Sequence, residues 1–281
     1  MNDIRIIKKT DNDFPNNLLE IKDCPKQIYV MGNYKLLNNK SIAIVGSREC
    51  TQYGEKHAFK FAKELSKRGI PIVSGIAIGI DSAAHFGAMQ EKGKTIAVLG
   101  SGFKHIYPED NLYLYNKIIE NGGCAVTEYS PDTEAILSKF PKRNRIISGL
   151  SIGTLVVEAK HRSGSLVTAR YAKEQERKIF SIPSNIDLKT GTGTNNLIKE
   201  GAKFVTCVQD ILDEINIKED DGKKVDDEFK KIYDVIGNIP ININTIAKKS
   251  GLTITEVTQK LLIMEIKGYI KSLPGNEYVR L

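Results

Sequence analysis

The sequence predicts an α/β protein, a Rossmann-like doubly wound mostly parallel sheet with a small C-terminal winged-helix domain, on three observations. From Ser41 onward, short β-branched runs alternate with amphipathic segments, the pattern of strands joined by crossover helices. At Asp213 the rhythm gives way to DEINIKEDDGKKVDD, a charged stretch with no apolar face. After Phe229 it resumes as helix, helix and hairpin, the order of a winged helix.

Strands are expected at Ile42 to Val45, Ile72 to Ser74, Thr95 to Leu99, Ala125 to Thr127, Thr154 to Val157 and Ile179 to Ile182. Helical patterns lie between them at Tyr53 to Arg68, Ser82 to Lys92, Asn111 to Asn121 and Leu166 to Arg177, each closed by a nearby Gly or charged turn. The domain reading is a short N-terminal lead-in over 1–40, a Rossmann-like domain over 41–212, a linker over 213–227 and a winged-helix-like domain over 228–281. Within the last, Ser250-Gly251 stops one helix and Thr255 starts the next. Residues 226–281 hold eight Lys and Arg against seven Asp and Glu, so a basic reading face is not evident. Protein contact or structural packing is the expected role of that module, ahead of DNA readout.

The whole chain carries 41 Lys and Arg against 34 Asp and Glu, a formal charge of +7 that favours a polyanionic partner. The excess is localised: residues 142–178 hold nine Lys and Arg and three Asp and Glu, a net of +6. Cys24, Cys50, Cys124 and Cys207 fall singly, without a C-x-x-C spacing or a disulfide framework, which fits a reducing compartment. Neither a signal-peptide core nor a run of about 18 apolar residues is present, so a cytoplasmic protein without a membrane partner is expected.

Three patterns imitate catalytic motifs. Gly87-AMQEK-Gly93-Lys94-Thr95 resembles a phosphate-binding P-loop, but its spacing is one residue too long and it runs from helix into strand, the reverse of a P-loop. Gly149-Leu150-Ser151-Ile152-Gly153 matches a nucleophile elbow, yet the strand follows the serine instead of preceding it. His57, His85, His105 and His161 show no spacing that brings two metal ligands onto one face, and no metal or cofactor is expected.

What remains is a set of turns suited to phosphate, placed where helices following parallel strands present unpaired N–H groups. Gly46, Ser47 and Arg48 follow the first core strand and offer a close backbone approach with added donors. Gly75 opens the turn after the second, where Gly79 and Ala83 read equally as packing residues. Phe140-Pro141-Lys142-Arg143-Asn144-Arg145 places three cations in four residues at a helix start set by Pro141, where cations oppose the helix dipole unless an anion is present. Ser163, Gly164, Ser165 and Thr168 bring hydroxyls and N–H groups to another helix N-terminus.

In order along the chain, VGSRECTQYG, SGIAIGIDSAAH, TIAVLGSGFKHIYPEDN, FPKRNRIISGLS and VVEAKHRSGSLVTA resemble the run of motifs of the DprA/Smf family, over roughly residues 14 to 210. FPNNLLEIKDCPKQIYVMG is similar to that family's lead-in, although the helical domain common before it is almost absent. Ser184 stands where the family usually has Gly, and Ser tolerates positive φ poorly. The resemblance implies a non-enzymatic, sequence-independent single-stranded DNA-binding homodimer that protects DNA and promotes RecA loading in natural transformation and recombination. It also implies phosphate contacts from Arg48, Lys142, Arg143 and Arg145, with Ser47, Asn144, Ser163, Gly164 and Ser165 adding hydrogen bonds. Single-strand preference would need room for bases to stack, and Phe140 is the nearest aromatic candidate.

The competing class is an enzyme. Ser151 to Glu158 resembles the G-G-x-G-T-x-x-E turn of nucleotide phosphoribohydrolases, but Glu158 is displaced by one residue and Leu150-Ser151 replaces the paired glycines. A transcription regulator using the winged helix is the third reading, weakened by that module's near-neutral charge.

Overall fold

The structure is a computed structural model that describes residues 4–90, 94–215, 226–237 and 239–280. It divides into two compact units, Met1–Glu219 and Asp220–Leu281.

The first unit is built on a nine-stranded sheet. In chain order its elements are β1 (Arg5–Lys8), α1 (Asn16–Leu19), β2 (Gln27–Gly32), β3 (Ile42–Val45), α2 (Gln52–Lys67), β4 (Ile72–Ser74), α3 (Ile80–Gln90), β5 (Thr95–Val98), α4 (Leu112–Glu120) and β6 (Cys124–Thr127). They continue with α5 (Lys139–Gly149), β7 (Gly153–Val156), α6 (Gly164–Glu174), β8 (Lys178–Ser181), α7 (Thr192–Lys199), β9 (Lys203–Phe204) and α8 (Val208–Glu214). The sheet order is β1-β2-β6-β5-β4-β3-β7-β8-β9, parallel from β6 to β9 and antiparallel through β1 and β2.

The central strands are apolar throughout because both faces are covered. Ile42 and Ile44 of β3 point to one face, where they pack with Ala58, Phe61 and Leu65 of α2 and Ile80 and Ala84 of α3. Ala43 and Val45 point to the other, with Ile146 and Ile147 of α5 and Ala169 of α6. That alternation is the two-residue period of a strand, doubled by helices on each side.

The 1–40 lead-in is part of this sheet, since β2 pairs with β6 in the register Val30↔Val126 and buries Ile28 and Val30. Its signal in the sequence is weak because only every second residue of β2 is fully buried. The strand order reverses at β3, which has β4 on one side and β7 on the other. The crevice at the carboxyl ends of the strands opens there.

The second unit contains α9 (Asp227–Tyr233), β10 (Ile241–Asn242), α10 (Ile243–Ser250), α11 (Ile254–Ile266), β11 (Ile270–Leu273) and β12 (Glu277–Arg280), with sheet order β10-β12-β11. Phe229, Ile232, Ile246, Val257, Leu261 and Met264 form its core. Gly251 ends α10 at φ 72°, a left-handed cap that glycine adopts without strain. The next helix starts earlier than the Thr255 expectation: Thr253 and Glu256 form a capping box that places the N-cap at Thr253.

Of the expected 213–227 linker, Asp213 and Glu214 end α8 and Asp227 opens α9, while 216–225 lie outside the described residues. Residues 91–93, which include Gly93 of the P-loop-like pattern and the end of the helix expected to Lys92, also lie outside them. No helix among the described residues is long and apolar enough to cross a membrane.

Candidate nucleic-acid interface

Where the strand order reverses, the turns after β3, β4 and β7 and the first turns of α5 and α6 enclose an open groove of about 410 Å³. Of the residues singled out in the sequence, Gly46, Ser47, Arg48, Arg143, Asn144, Ser163, Gly164, Ser165 and Thr168 line it. Gly75 lines an adjoining recess that shares Arg48, Ala77, Phe140 and Arg143 with the groove.

The groove has a cationic rim. Arg48 and Arg162 are exposed on it and have no acidic partner among the described residues. Lys160 also lines it and pairs with Glu49 at 2.5 Å, an exposed contact that an incoming anion can exchange. Lys160 and Arg162 were not singled out in the sequence, although their position just beyond the carboxyl end of β7 is where such sheets bind ligands.

The N-terminus of α6 lines the same groove, directly after Arg162 in the chain. Ser163 caps the helix, its Oγ accepting from the Ser165 N–H at 3.3 Å and lying 2.7 Å from Ser165 Oγ. Gly164 has no side chain to cover its N–H, and a Cβ placed there would meet nothing within 4 Å. Ser163 takes up the N–H groups of Ser165 and Leu166, so it is Gly164 that presents the open start of the helix to the groove, with the positive end of the helix dipole behind it. Asn144 steadies the turn by donating from Nδ2 to the Gly164 carbonyl at 3.2 Å.

The floor is ionic and buried. Arg143 donates from Nη1 to the carbonyl of Gly75, just after β4, at 2.9 Å, and to that of Val98, which ends β5. Asp81 accepts from the N–H groups of Gly75 at 3.1 Å and Ala77 at 3.4 Å. Burial pulls the Arg143 guanidinium down to about 10 against the support of Asp81, and burial pushes the Asp81 carboxyl up against the pull of Arg143. Gly75 is required by this packing, since a Cβ would stand 2.7 Å from Arg143 Nη2 and 2.8 Å from Asp81 Oδ2. Gly46 is required likewise, because a Cβ would stand 2.6 Å from Ile80 Cγ1.

The cation cluster of α5 does not act as one set. Only Arg143 reaches the groove, and its Nη1 serves the strand carbonyls of the floor. Arg145 is buried on another face, where its two terminal nitrogens donate to Glu128 at 3.0 and 2.7 Å, so it is no free phosphate ligand. Lys142 is exposed but does not line the groove. The helix begins at Lys139, ahead of the start expected at Pro141, which sits in the first turn where no intrahelical N–H bond is lost.

The catalytic patterns meet a different outcome. Ser151 is buried and donates from Oγ to the Ile147 carbonyl at 2.9 Å, which removes the nucleophile elbow. Glu158 is buried away from the groove lining, and its carboxylate accepts from the Thr51 N–H at 2.9 Å and from the Thr51 hydroxyl at the start of α2. No cluster of His, Cys, Asp and Glu among the described residues could hold a metal ion.

The family model for DNA recombination-mediator protein A matches residues 5–216, and that for the DprA winged helix domain matches 218–276. The chain is 39% identical to Protein Smf of Escherichia coli (strain K12) over 285 residues, covering 96% of this chain and 76% of that one. It is 45% identical to DNA processing protein DprA of Streptococcus pneumoniae over 204 residues, covering 73% and 72%. The X-ray structure of the S. pneumoniae protein superposes with a TM-score of 0.71 at 42% identity, over 75% of this chain and 74% of that one. A structure of DNA processing protein A from Helicobacter pylori, described for its single-stranded DNA binding mode, superposes with a TM-score of 0.68 at 30% identity, over 77% and 98%.

Proposed function

This chain belongs to the DNA recombination-mediator protein A family, and on that premise we propose that it binds single-stranded DNA by its sugar-phosphate backbone in the groove and catalyses no reaction there. The observation that carries this reading is the convergence, in the lining of one groove, of the α6 N-terminus at Gly164 and the cations Arg48 and Arg162, which have no acidic partner among the described residues. Backbone N–H groups and guanidinium forks recognise phosphate and ignore base identity, so binding is sequence-independent. Gly46, Ser47, Arg48, Asn144, Ser163, Gly164, Ser165 and Thr168 form the phosphate path with Lys160 and Arg162. Arg143 and Gly75 shape its floor, and Lys142 contributes only to the field beside it.

Protection of the strand, RecA loading in transformation and recombination, and a homodimeric state complete the proposal, drawn from the family relationship. The dimer has a physical opening in β9, which ends the sheet with Phe204 half exposed and leaves a strand edge unpaired.

The test is a fluorescence-anisotropy titration of oligo-dT and of an equal-length duplex at two salt concentrations, with wild type and Arg48→Ala/Arg162→Ala. The expected result is salt-sensitive binding that favours oligo-dT, with the slope flattened by about 0.7 for each phosphate that the variant no longer neutralises. Equal preference for duplex, or binding unchanged in the variant, overturns the reading.

A further inference from the structure

Helix α2 carries a row of cations that the groove does not use. Lys56, Lys60, Lys63 and Lys67 recur at i, i+4, i+7 and i+11, a spacing that sets them on one stripe of the helix. The opposite face holds Ala58, Phe61, Ala62 and Leu65 in the core, so the stripe points to solvent, with Lys56, Lys60 and Lys67 exposed. Glu55 and Glu64, the carboxylates of α2, fall to either side of it. Lys60 approaches Glu64 at 3.8 Å, an exposed contact at the long limit of such pairs, which an incoming anion can exchange. Burial, with Lys60 and Lys56 nearby, holds the His57 imidazole below its usual value, as a positive field on this side of the helix requires.

Beside the stripe, α2 and α3 leave an open depression of about 500 Å³, lined by Gln52, Lys56, Phe59, Phe86 and Gln90, together with Glu55. Phe86 is 38% exposed there. The two helices are locked together beneath it, since a Cβ on Gly87 would stand 2.3 Å from the Phe59 carbonyl oxygen. This surface joins the groove by two routes. Arg48 and Glu49 line the groove and Gln52 lines the depression, on either side of the Thr51 cap that starts α2. Asp81 of α3 lines the groove, and Ala83, two residues on, lines the depression. Both helices start at the carboxyl ends of parallel strands and run back along the sheet, so the stripe leads away from the groove mouth. From Lys56 to Lys67 it spans about 16 Å, enough for more than one backbone phosphate.

We propose that the α2 stripe is a track for the backbone of single-stranded DNA leaving the groove at Arg48, its lysines holding phosphates beyond those bound at the α6 N-terminus. The inference rests on the backbone-binding reading of the groove. Charge complementarity and continuity with the groove commit the surface to this occupant. A lysine is a point charge on a flexible stem, so a row of them neutralises phosphates without fixing the register of the strand. The depression beside it offers apolar surface to bases turned away from those phosphates, the combination of cations and aromatic rings that suits a single strand.

The experiment titrates oligo-dT of about six nucleotides, chosen to occupy the groove alone, and of about twenty, which continues past it. Each is measured over a range of salt concentrations with wild type and Lys56→Ala/Lys60→Ala/Lys67→Ala. Wild type should show the steeper salt slope with the longer strand. The variant should hold the short strand within twofold of wild type and flatten the slope of the longer one by about 0.7 for each phosphate released. Thermal melting confirms the fold, which exposed side chains leave intact. Equal slopes for both lengths in wild type, a longer-strand slope that the variant leaves unchanged, or a loss of affinity equal for both lengths, as a diffuse field produces, overturns the track and leaves the groove reading standing. Absence of salt-sensitive binding of either strand to wild type overturns both.

Discussion

His85 Nδ1 lies 2.7 Å from Thr95 Oγ1, and Thr95 Oγ1 donates to the Ile72 carbonyl at 2.8 Å. The Thr95 proton is therefore spent, so His85 must donate from Nδ1 and leave Nε2 unprotonated, buried and without a partner. Burial, aided by the charge of Arg143, pushes the His85 imidazole down to about 3. An unfolded His takes up a proton near pH 6.5, so stability is full above that value and is lost as pH falls toward 3. The loss between pH 7.5 and 5.5 is about 1.4 kcal/mol for this one group. Urea unfolding of wild type and His85→Asn at both values should show the wild type losing that much more; Asp81 and the other carboxyls titrate in both proteins and cancel. An equal loss in the two would place the imidazole proton elsewhere.

Arg145 and Glu128 form a buried pair whose removal should cost stability, not DNA affinity. Arg145→Ala strands Glu128 at 11% exposure, and breaking such a pair from one side costs about 3–5 kcal/mol. Glu128→Leu/Arg145→Met should recover most of that, because the desolvation of both charges disappears together. In a double variant that folds, the salt slope of oligo-dT binding should equal that of wild type. A flattened slope would return Arg145 to the phosphate path.

The α5 cluster shows where a sequence stops being legible. Composition located the charge in the right part of the fold, but residues two apart on a helix point about 200° from each other, so Arg143 and Arg145 cannot share a face. Strands β3 and β4 were legible in full because burial on both faces makes them unbroken β-branched runs. Strand β1 was not, since Arg5-Ile6-Ile7-Lys8 buries only Ile7 and its pairing partner lies some twenty residues away in β2. The glycines at 46 and 75 were visible as turn residues, yet what they accommodate, Ile80 and the Arg143 and Asp81 side chains, is set by segments distant in the chain.

The Thr51–Glu158 contact separates the two functional classes. Glu158→Ala leaves the Thr51 N–H, which it accepts at 2.9 Å, without its partner at the first turn of α2, a destabilisation of about 1–3 kcal/mol. Chemical denaturation should register that change, while oligo-dT affinity at a temperature where the variant is folded should stay within twofold of wild type. Hydrolysis of nucleoside monophosphates by wild type that disappears in Glu158→Gln would reverse the assignment.

Ser184, where the resemblance led to an expectation of glycine, is free of the backbone strain that positive φ would bring, because its φ is not in the positive region. Its backbone is tied to Asn195, the N–H donating to Oδ1 at 3.0 Å and the carbonyl accepting from Nδ2 at 2.9 Å. Its hydroxyl, however, is buried and has no hydrogen-bond partner. Ser184→Ala keeps both backbone bonds and removes the unsatisfied group, so it should stabilise the first unit by about 1 kcal/mol. Ser184→Gly removes the same hydroxyl but adds backbone freedom to the unfolded chain worth about 0.4–1 kcal/mol, and should be close to neutral. Thermal melting of the three proteins distinguishes these cases: the order Ala above Gly and Ser supports the account, whereas a gain confined to Gly would mean that the turn at 184 is strained after all.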